Sequence, residues 1–471
     1  MKSLLNIIKG ITFSVAILAL VSSCMARKEY QRPNNVVDEK LFRTDMLPSD
    51  STNIANVSWK EIFTDPILQG HISKALENNL DIRIALQSIT SAEAYLKQSK
   101  AAYEPTVTVG PGYTFQTQSL NTQTGQLFGQ RRYINQLDIT ASVAFEADIW
   151  GKLKAQEKAQ LATYLGTVAA HKAVKSDLVA SIASAYYQLL TFDEQKKIIT
   201  ETIKVREQNL ETTKALKTAG TLTEVAVQQS EALVYNAKSL LIDIDTQIQL
   251  LENTMSLLMG EPSHSIERST LESQNVPSDL KLGYPAQLLA NRPDVMRAEY
   301  NLMNAFELTN AAKAQFYPTL RITGSGGLQS MDIDHLFSVN SLFASVVGGL
   351  AQPILNRRTI KTNYEVSLAN QETAYLNFRK TVLTAGKEVS DAIRVFSVQD
   401  QYIDLKQKEL MNYKNSVDYS QELVNYGMAN YLEVLNASVN SLNAELNIAN
   451  AQYSKMKAAV ELYQALGGGW K

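Results

Sequence analysis

The chain has 471 residues and a single cysteine, Cys24, which excludes an internal disulfide. Its four histidines, His71, His171, His264 and His335, are scattered without metal-ligand spacing. With one thiol near the N-terminus, neither a zinc site nor thiolate catalysis has support. An excess of charge of one sign is also missing. There are 45 Lys and Arg against 47 Asp and Glu, a net charge of −2, and a nucleic-acid partner would require a basic face. Beyond residue 23 there is no run of 18 apolar residues, so no transmembrane helix is expected there. A β-barrel is not excluded, because alternating strands escape a hydropathy scan. From Lys152 to Ala219 there is no proline and one glycine, Gly166. A helix of that length would measure on the order of 100 Å. The stretch from Asn356 to Tyr426 has the same character. Helices so long do not fit a compact globule; they pack as coiled coils or helical tubes.

What is present begins at the N-terminus. Lys2 and Lys9 precede an apolar stretch, Ile11 to Val21, that ends in Ser22, Ser23 and Cys24. This is the pattern of a secretory signal, over residues 1–23. Val21-Ser22-Ser23-Cys24 also resembles the lipobox of bacterial lipoproteins. That resemblance implies that Cys24 becomes the mature N-terminus and carries a diacylglycerol and an N-acyl chain, with no other cofactor. Met25, rather than Asp, at the next position favours the outer membrane over the inner. An ordinary signal peptide with an incidental cysteine is the alternative.

The remainder is written twice. "KAAYEPTVTVGPGYTF" from Lys100 and "KAQFYPTLRITGSGGL" from Lys313 each end a helical pattern at an aromatic and a proline, then alternate. Gly220 and Gly260 are 40 residues apart (260 − 220), as are Gly427 and Gly467 (467 − 427). Two copies of one unit, offset by roughly 205 to 215 residues, account for this. Each unit predicts a helix, two strands, a long helix, a glycine turn and a further helix. The shorter helices, about 67–103 and 221–259 in the first unit, together match the long one and could run beside it. The boundaries expected are 24–66 for an extended N-terminal segment and 67–260 for the first repeat, with strands near 105–147 and a tip near 220. A connector follows at 261–287. The second repeat covers 288–467, with strands near 318–352 and a tip near 427, and the tail is 468–471. Gly220 and Gly427 suit sharp helix-to-helix turns at positive φ.

In the first repeat's strands Val107, Val109, Tyr113 and Phe115, then Leu137, Ile139, Ala141, Val143 and Phe145, alternate with polar residues. That suits one face in lipid and one facing a watery lumen. A soluble sandwich with a packed core fits the alternation equally. "GSGG" at 324–327 lacks the Lys-Ser/Thr ending of a phosphate loop. Four strands cannot close a barrel, since about eight is the minimum, so membrane-spanning strands would need several chains in one barrel. Polar residues crowd the helices (Gln228, Gln229, Asn236, Asn440, Asn443); a channel lining and a surface coiled coil fit them equally.

Four stretches in register resemble one family. "RPDVMRAE" (Arg292–Glu299), "DIWGK" (Asp148–Lys152), "WKEIFTDPILQGHISKALENNLDI" (Trp59–Ile82) and "GMANYLEVLNA" (Gly427–Ala437) are similar to motifs of TolC-like outer-membrane efflux proteins, in the OprM/NodT lipoprotein branch. The resemblance implies a mainly α fold with a membrane β part. Three chains would form a homotrimeric 12-stranded β-barrel continued by a long α-helical tunnel. It implies a passive channel in the outer membrane, partnered by a periplasmic adaptor (membrane fusion) protein and an inner-membrane transporter of the RND type. No enzyme activity is implied. It also places a periplasmic gate near Gly427, at Leu432, Glu433 and Asn436. Relatives carry acidic residues at the last two of these positions or at the last alone; here the last is Asn436, so any charge ring would be weaker or shifted and Glu433 becomes the main charged candidate. Alternatively Glu433 is a solvated helix residue and Leu432 packs between helices. Locally, Arg292-Pro293-Asp294 has the marks of a helix start. Trp150 fits either a membrane-interface aromatic or a plug between subunits. A structural or adhesive helical surface lipoprotein without channel activity, and a lipoprotein enzyme, are the competing classes.

Overall fold

The computed structural model describes residues 28–34, 36–37, 41–43, 54–275 and 287–471. The signal segment, Cys24 and residues 276–286 lie outside these. In chain order the main elements are α1 (Trp59–Ile62), α2 (Pro66–Asn78), α3 (Leu80–Ala101), β1 (Thr106–Thr117), α4 (Gln123–Phe128), β2 (Tyr133–Ala147), α5 (Lys152–Thr218) and α6 (Glu224–Leu258). Then come α7 (Leu288–Asn291), α8 (Pro293–Ala314), β3 (Thr319–Ser330), β4 (Leu342–Ala351), α9 (Thr359–Asn425) and α10 (Tyr431–Ala465). The duplication is visible in the lengths. α5 and α9 each have 67 residues, α6 and α10 each 35, and α3 and α8 each 22.

The chain forms two compact units. One comprises residues up to 33, 90–166 and 299–376, and holds the sheet. Its four strands are antiparallel in the order β1-β2-β3-β4, which leaves β1 and β4 each without a second neighbour among the described residues. At the foot of the sheet Trp150 stacks on Tyr317 with ring centres 4.7 Å apart, and its Nε1 donates to Pro318 O at 2.7 Å. That contact ties the end of β2 to the start of β3 within one chain, a use of Trp150 that neither sequence expectation contained. The "DIWGK" motif starts α5: Asp148 accepts from Leu153 N at 3.0 Å and Lys154 N at 2.9 Å, and Gly151 takes φ 72°. The helical parts of this unit pack through small residues. Ala155, Ala159 and Ala162 are buried, and Asn304 donates to Ala159 O and Thr163 Oγ1. The N-terminal strand of chain is tied to α8 by a bidentate pair, Arg32 to Glu299 at 2.7 Å for both bonds.

The other unit comprises 34–89, 167–298 and 377–471. Here α6 runs antiparallel to α5, linked by Lys238–Glu207 and Lys196–Asp245 ion pairs and by Arg206 donating to Leu233 O. The helix expected over 67–103 is broken at Asn79, whose ψ of 132° is extended. The break has a cause. The Asn79 side chain accepts from Asp81 N and Ile82 N, starting α3, and donates to Leu258 O at 2.8 Å, closing the end of α6. Thus α6 meets α3 head to tail. The second repeat repeats the joint: the chain breaks between α7 and α8 at Arg292, which donates to Ala465 O at 3.0 Å at the end of α10.

Candidate functional site

The sheet registers decide which residues share a face. Pairs such as Val107↔Val143, Val143↔Gly324 and Gly324↔Val346 run across all four strands. Side chains opposite one another across a ladder project to the same side. One face therefore carries Val107, Val109, Pro111, Tyr113 and Phe115; Leu137, Ile139, Ala141 and Val143; Leu320, Ile322 and Leu328; and Leu342, Ala344, Val346 and Leu350. The opposite face is mainly polar, with Thr106, Thr108, Thr114, Gln136, Asp138, Thr140, Ser142, Arg321, Thr323 and Ser345, although Phe343 and Val347 also lie on it. The apolar face is uncovered in the chain: Val109 is 70% exposed and Val346 79%. A soluble sandwich would bury it. β3 and β4 alternate poorly in sequence because glycines hold several positions. Gly327 is required there, since a Cβ would sit 1.9 Å from Ile139 O.

Strands of 10 to 15 residues suffice for a tilted crossing of a bilayer. The residues between β1 and β2 contain α4, capped by Thr122 and ended by Gly129 at φ 65°, a short helix that the polar sequence there did not announce.

At the far ends of the long helices, both turns close on glycine. Gly220 has φ 80° and Gly427 φ 68°, and a Cβ at either would meet open space. Thr221 N donates to Leu216 O and Met428 N to Leu423 O, which satisfies carbonyls left over at each helix end. After Gly427, Asn430 caps α10 by accepting from Leu432 N at 3.1 Å. Leu432, Glu433 and Asn436 fall on the exposed side of α10, within an arc of about 100°. Tyr431, Val434 and Ala437 are buried on the other side.

Sequence reasoning missed the contact that joins the two turns. Ala226, Val424, Tyr431 and Val434 form a buried apolar cluster flanked by Leu222, Ala429 and Leu435. Inside it the Tyr431 phenol oxygen lies 2.8 Å from Thr213 Oγ1 and 3.3 Å from Ser230 Oγ. Thr213 also bonds Asn209 O at 2.7 Å. Thr213 and Ser230 both donate toward the Tyr431 oxygen, and the single Thr213 proton is shared between Tyr431 and Asn209 O. Three buried hydroxyls thus meet at the Tyr431 oxygen. Nothing in the spacing of Thr213, Ser230 and Tyr431 announces their meeting.

Around the helix joints, ionisable groups are held strongly. Arg292 is bidentate to Asp294 at 2.9 and 2.7 Å and pairs with Glu388 at 2.6 Å. Burial works against its charge, yet Asp294 and Glu388 leave its pKa raised. "RPD" is thus more than a helix start: it closes the end of α10. A cavity of about 550 Å³ beside it is lined by Asp177, Glu388, Asp391, Glu461 and Gln464. Asp177 is pushed up, first by burial and further by Asp294 and Glu388, although Gln464 donates to it. Asp65, the cap of α2, behaves oppositely. Burial alone would raise it, but hydrogen bonds from Ser269, Tyr186, Gln274 and Ile67 N lower it. Burial pushes the Tyr186 phenol up to about 12. Among the described residues no group of three or more His, Cys, Asp or Glu could hold a metal ion. Among them also, no helix is long and apolar enough to cross a membrane.

Known proteins resemble the whole of this arrangement. A family model described as "Outer membrane efflux protein" matches residues 71–261 and 284–468, one match for each repeat. The chain is 27% identical over 465 residues to the "Cation efflux system protein CusC" of Escherichia coli O6:H1, covering 98% of this chain and 99% of that one. It is 28% identical over 413 residues to the "Solvent efflux pump outer membrane protein SrpC" of Pseudomonas putida, covering 87% of each. Among solved structures, one of CusC superimposes with a TM-score of 0.83 at 25% identity over 94% of this chain and 99% of that one. Four antiparallel strands with one apolar face, doubled long helices and a family match over both repeats lead to one conclusion: the chain belongs to the outer membrane efflux protein family.

Proposed function

We propose that three copies of this outer-membrane efflux protein close one 12-stranded barrel and form a passive conduit out of the periplasm. The observation that carries the reading is the sheet: one face uncovered and apolar, the other mainly polar, with β1 and β4 both unpaired on one side among the described residues. An open edge in a bilayer leaves backbone groups unsatisfied, so pairing β4 of one copy with β1 of the next removes the cost. A helical adhesin would have no use for such a face. Relatives named for cations and for solvents are almost equally similar to this chain. That supports a conduit whose substrates are chosen upstream, by an inner-membrane transporter of the RND type reached through a periplasmic adaptor. The energy would come from that transporter. Cys24, acylated through sulfur and on its new amino group, would add a second membrane anchor. The channel would narrow at the turn after Gly427, where threefold symmetry turns Leu432, Glu433 and Asn436 into rings. A carboxylate ring favours cations.

Single-channel recording of the purified chain in a planar bilayer tests this. Conductance with cation preference is expected, and Glu433→Ala should reduce that preference and weaken block by multivalent cations. Unchanged selectivity in a folded trimer would remove Glu433 from the gate; no conductance from the native chain would sink the channel itself.

A further inference from the structure

Just beyond β4 lie the two most exposed large apolar side chains among the described residues, Ile354 at 86% and Leu355 at 96%. They continue an outward-facing apolar row, since Leu342, Ala344, Val346 and Leu350 share the uncovered face of the sheet. Two arginines follow at once. Arg357 and Arg358 have φ of 55° and 66°, and among the described residues they alone, apart from glycines, have positive φ. L side chains are disfavoured there. The matching place in the first repeat, directly before α5, is filled by Gly151 at φ 72°. The arginines also sit at the N-terminal end of α9, where the helix dipole disfavours positive charge. Backbone and field both oppose them, so an outside anion is the natural compensation. Arg358 pairs with both oxygens of Glu365 at 3.0 and 2.9 Å yet stays 61% exposed, and Arg357 is exposed with no partner among the described residues.

The level in the sheet is informative too. The register Thr319↔Ala351 sets the segment after β4 beside Phe316, Tyr317 and Trp150, a group of aromatics at the same end of the strands. Aromatic residues collect where bilayer meets water. Guanidinium groups bind phosphate through two parallel N–H bonds, while apolar neighbours enter the acyl region.

We propose that residues 354–358 form a lipid contact at the periplasmic rim of the barrel. In it Ile354 and Leu355 enter the leaflet, and Arg357 with the free edge of Arg358 binds the phosphate of anionic phospholipids. The proposal rests on the reading that β1 to β4 span the outer membrane, and the test separates the two. Full-length chains carrying Leu355→Trp or Val346→Trp are reconstituted in vesicles containing brominated phospholipid. Both tryptophans should be quenched, Leu355→Trp most by bromines near the headgroup end of the acyl chain. If Val346→Trp is not quenched, the spanning reading fails. If Val346→Trp is quenched and Leu355→Trp is not, the rim contact alone is overturned and a second copy covers the site. The double variant Arg357→Gly/Arg358→Gly relieves the backbone, so folding should be kept. Its preference for vesicles or nanodiscs with phosphatidylglycerol over purely zwitterionic ones should fall about fivefold per arginine lost. An unchanged preference would overturn the arginine–phosphate part.

Discussion

Asn79 and Arg292 occupy the same joint in the two halves of the chain, and they close it with different chemistry. In the first half a neutral amide donates to Leu258 O and caps the following helix. In the second a guanidinium donates to Ala465 O and anchors Asp294 and Glu388 as well. Beside each joint stands a glycine at positive φ, Gly260 at 73° and Gly467 at 97°. What is shared is a geometric demand, namely a donor for the last carbonyl of one helix and a backbone that lets the next one pass. The side chain meeting that demand was free to diverge, and in the second half it recruited charge.

The largest effect should come from the joint glycines compared with the tip glycines. A Cβ at Gly467 would lie 2.5 Å from Asn291 C, and one at Gly260 2.6 Å from Asn78 O. Gly467→Ala and Gly260→Ala should each destabilise by about 3 kcal/mol or more, from strain and backbone collision together. Gly220→Ala and Gly427→Ala, with open space around them, should lose only about 1 kcal/mol. Thermal unfolding of the four variants ranks them. Equal losses at joint and tip would mean that positive φ, not the close approach, is the constraint.

Next in size is the donor itself. Arg292→Ala removes a buried charge from two carboxylates and a carbonyl, for a loss of about 3 kcal/mol. Asn79→Ala gives up neutral hydrogen bonds and should lose about 1 to 2 kcal/mol. An Asn79→Ala loss equal to that of Arg292→Ala would show that the recruited charge adds nothing.

The smallest effect sharpens a contrast between two carboxylates of the same unit. Asp65 is lowered on folding, so its contribution to stability is full above its unfolded pKa of about 4 and is lost as pH falls through the folded value. Asp177 is raised, so its ionised form disfavours folding above the folded value, and the penalty disappears as pH falls below the unfolded one. Asp177→Asn should therefore raise the melting temperature slightly at pH 7 and not at pH 3, while Asp65→Asn lowers it at pH 7. Melting curves at the two pH values decide it, and a drop for Asp177→Asn at pH 7 would reverse the assignment.

Much of this architecture was legible in the residues. The duplication, the long helices, the strands and the glycine turns are local or periodic signals, and each is carried by one stretch of chain. The break at Asn79 was not, because a 3.6-residue pattern continues through Lys74 to Arg83 and only the approach of Leu258 makes an interruption favourable. The Tyr431–Thr213–Ser230 line escaped for the same reason: its members are more than 200 residues apart, or on different helices, and each alone is an ordinary helix residue. Trp150 was marked as important, but its partner Pro318 could not be inferred from it.

The sequence by itself determined the repeat, the alternation of apolar and polar residues along β1 and β2, and the positions where helices must turn. Only the tertiary structure decided that most of the apolar residues of all four strands share one uncovered face. Alternation fixes sides within a strand, whereas the register between strands decides whether those sides add or cancel. It also decided which side chains close the joints and the tips, since those bonds exist only once distant helices have been brought within about 3 Å.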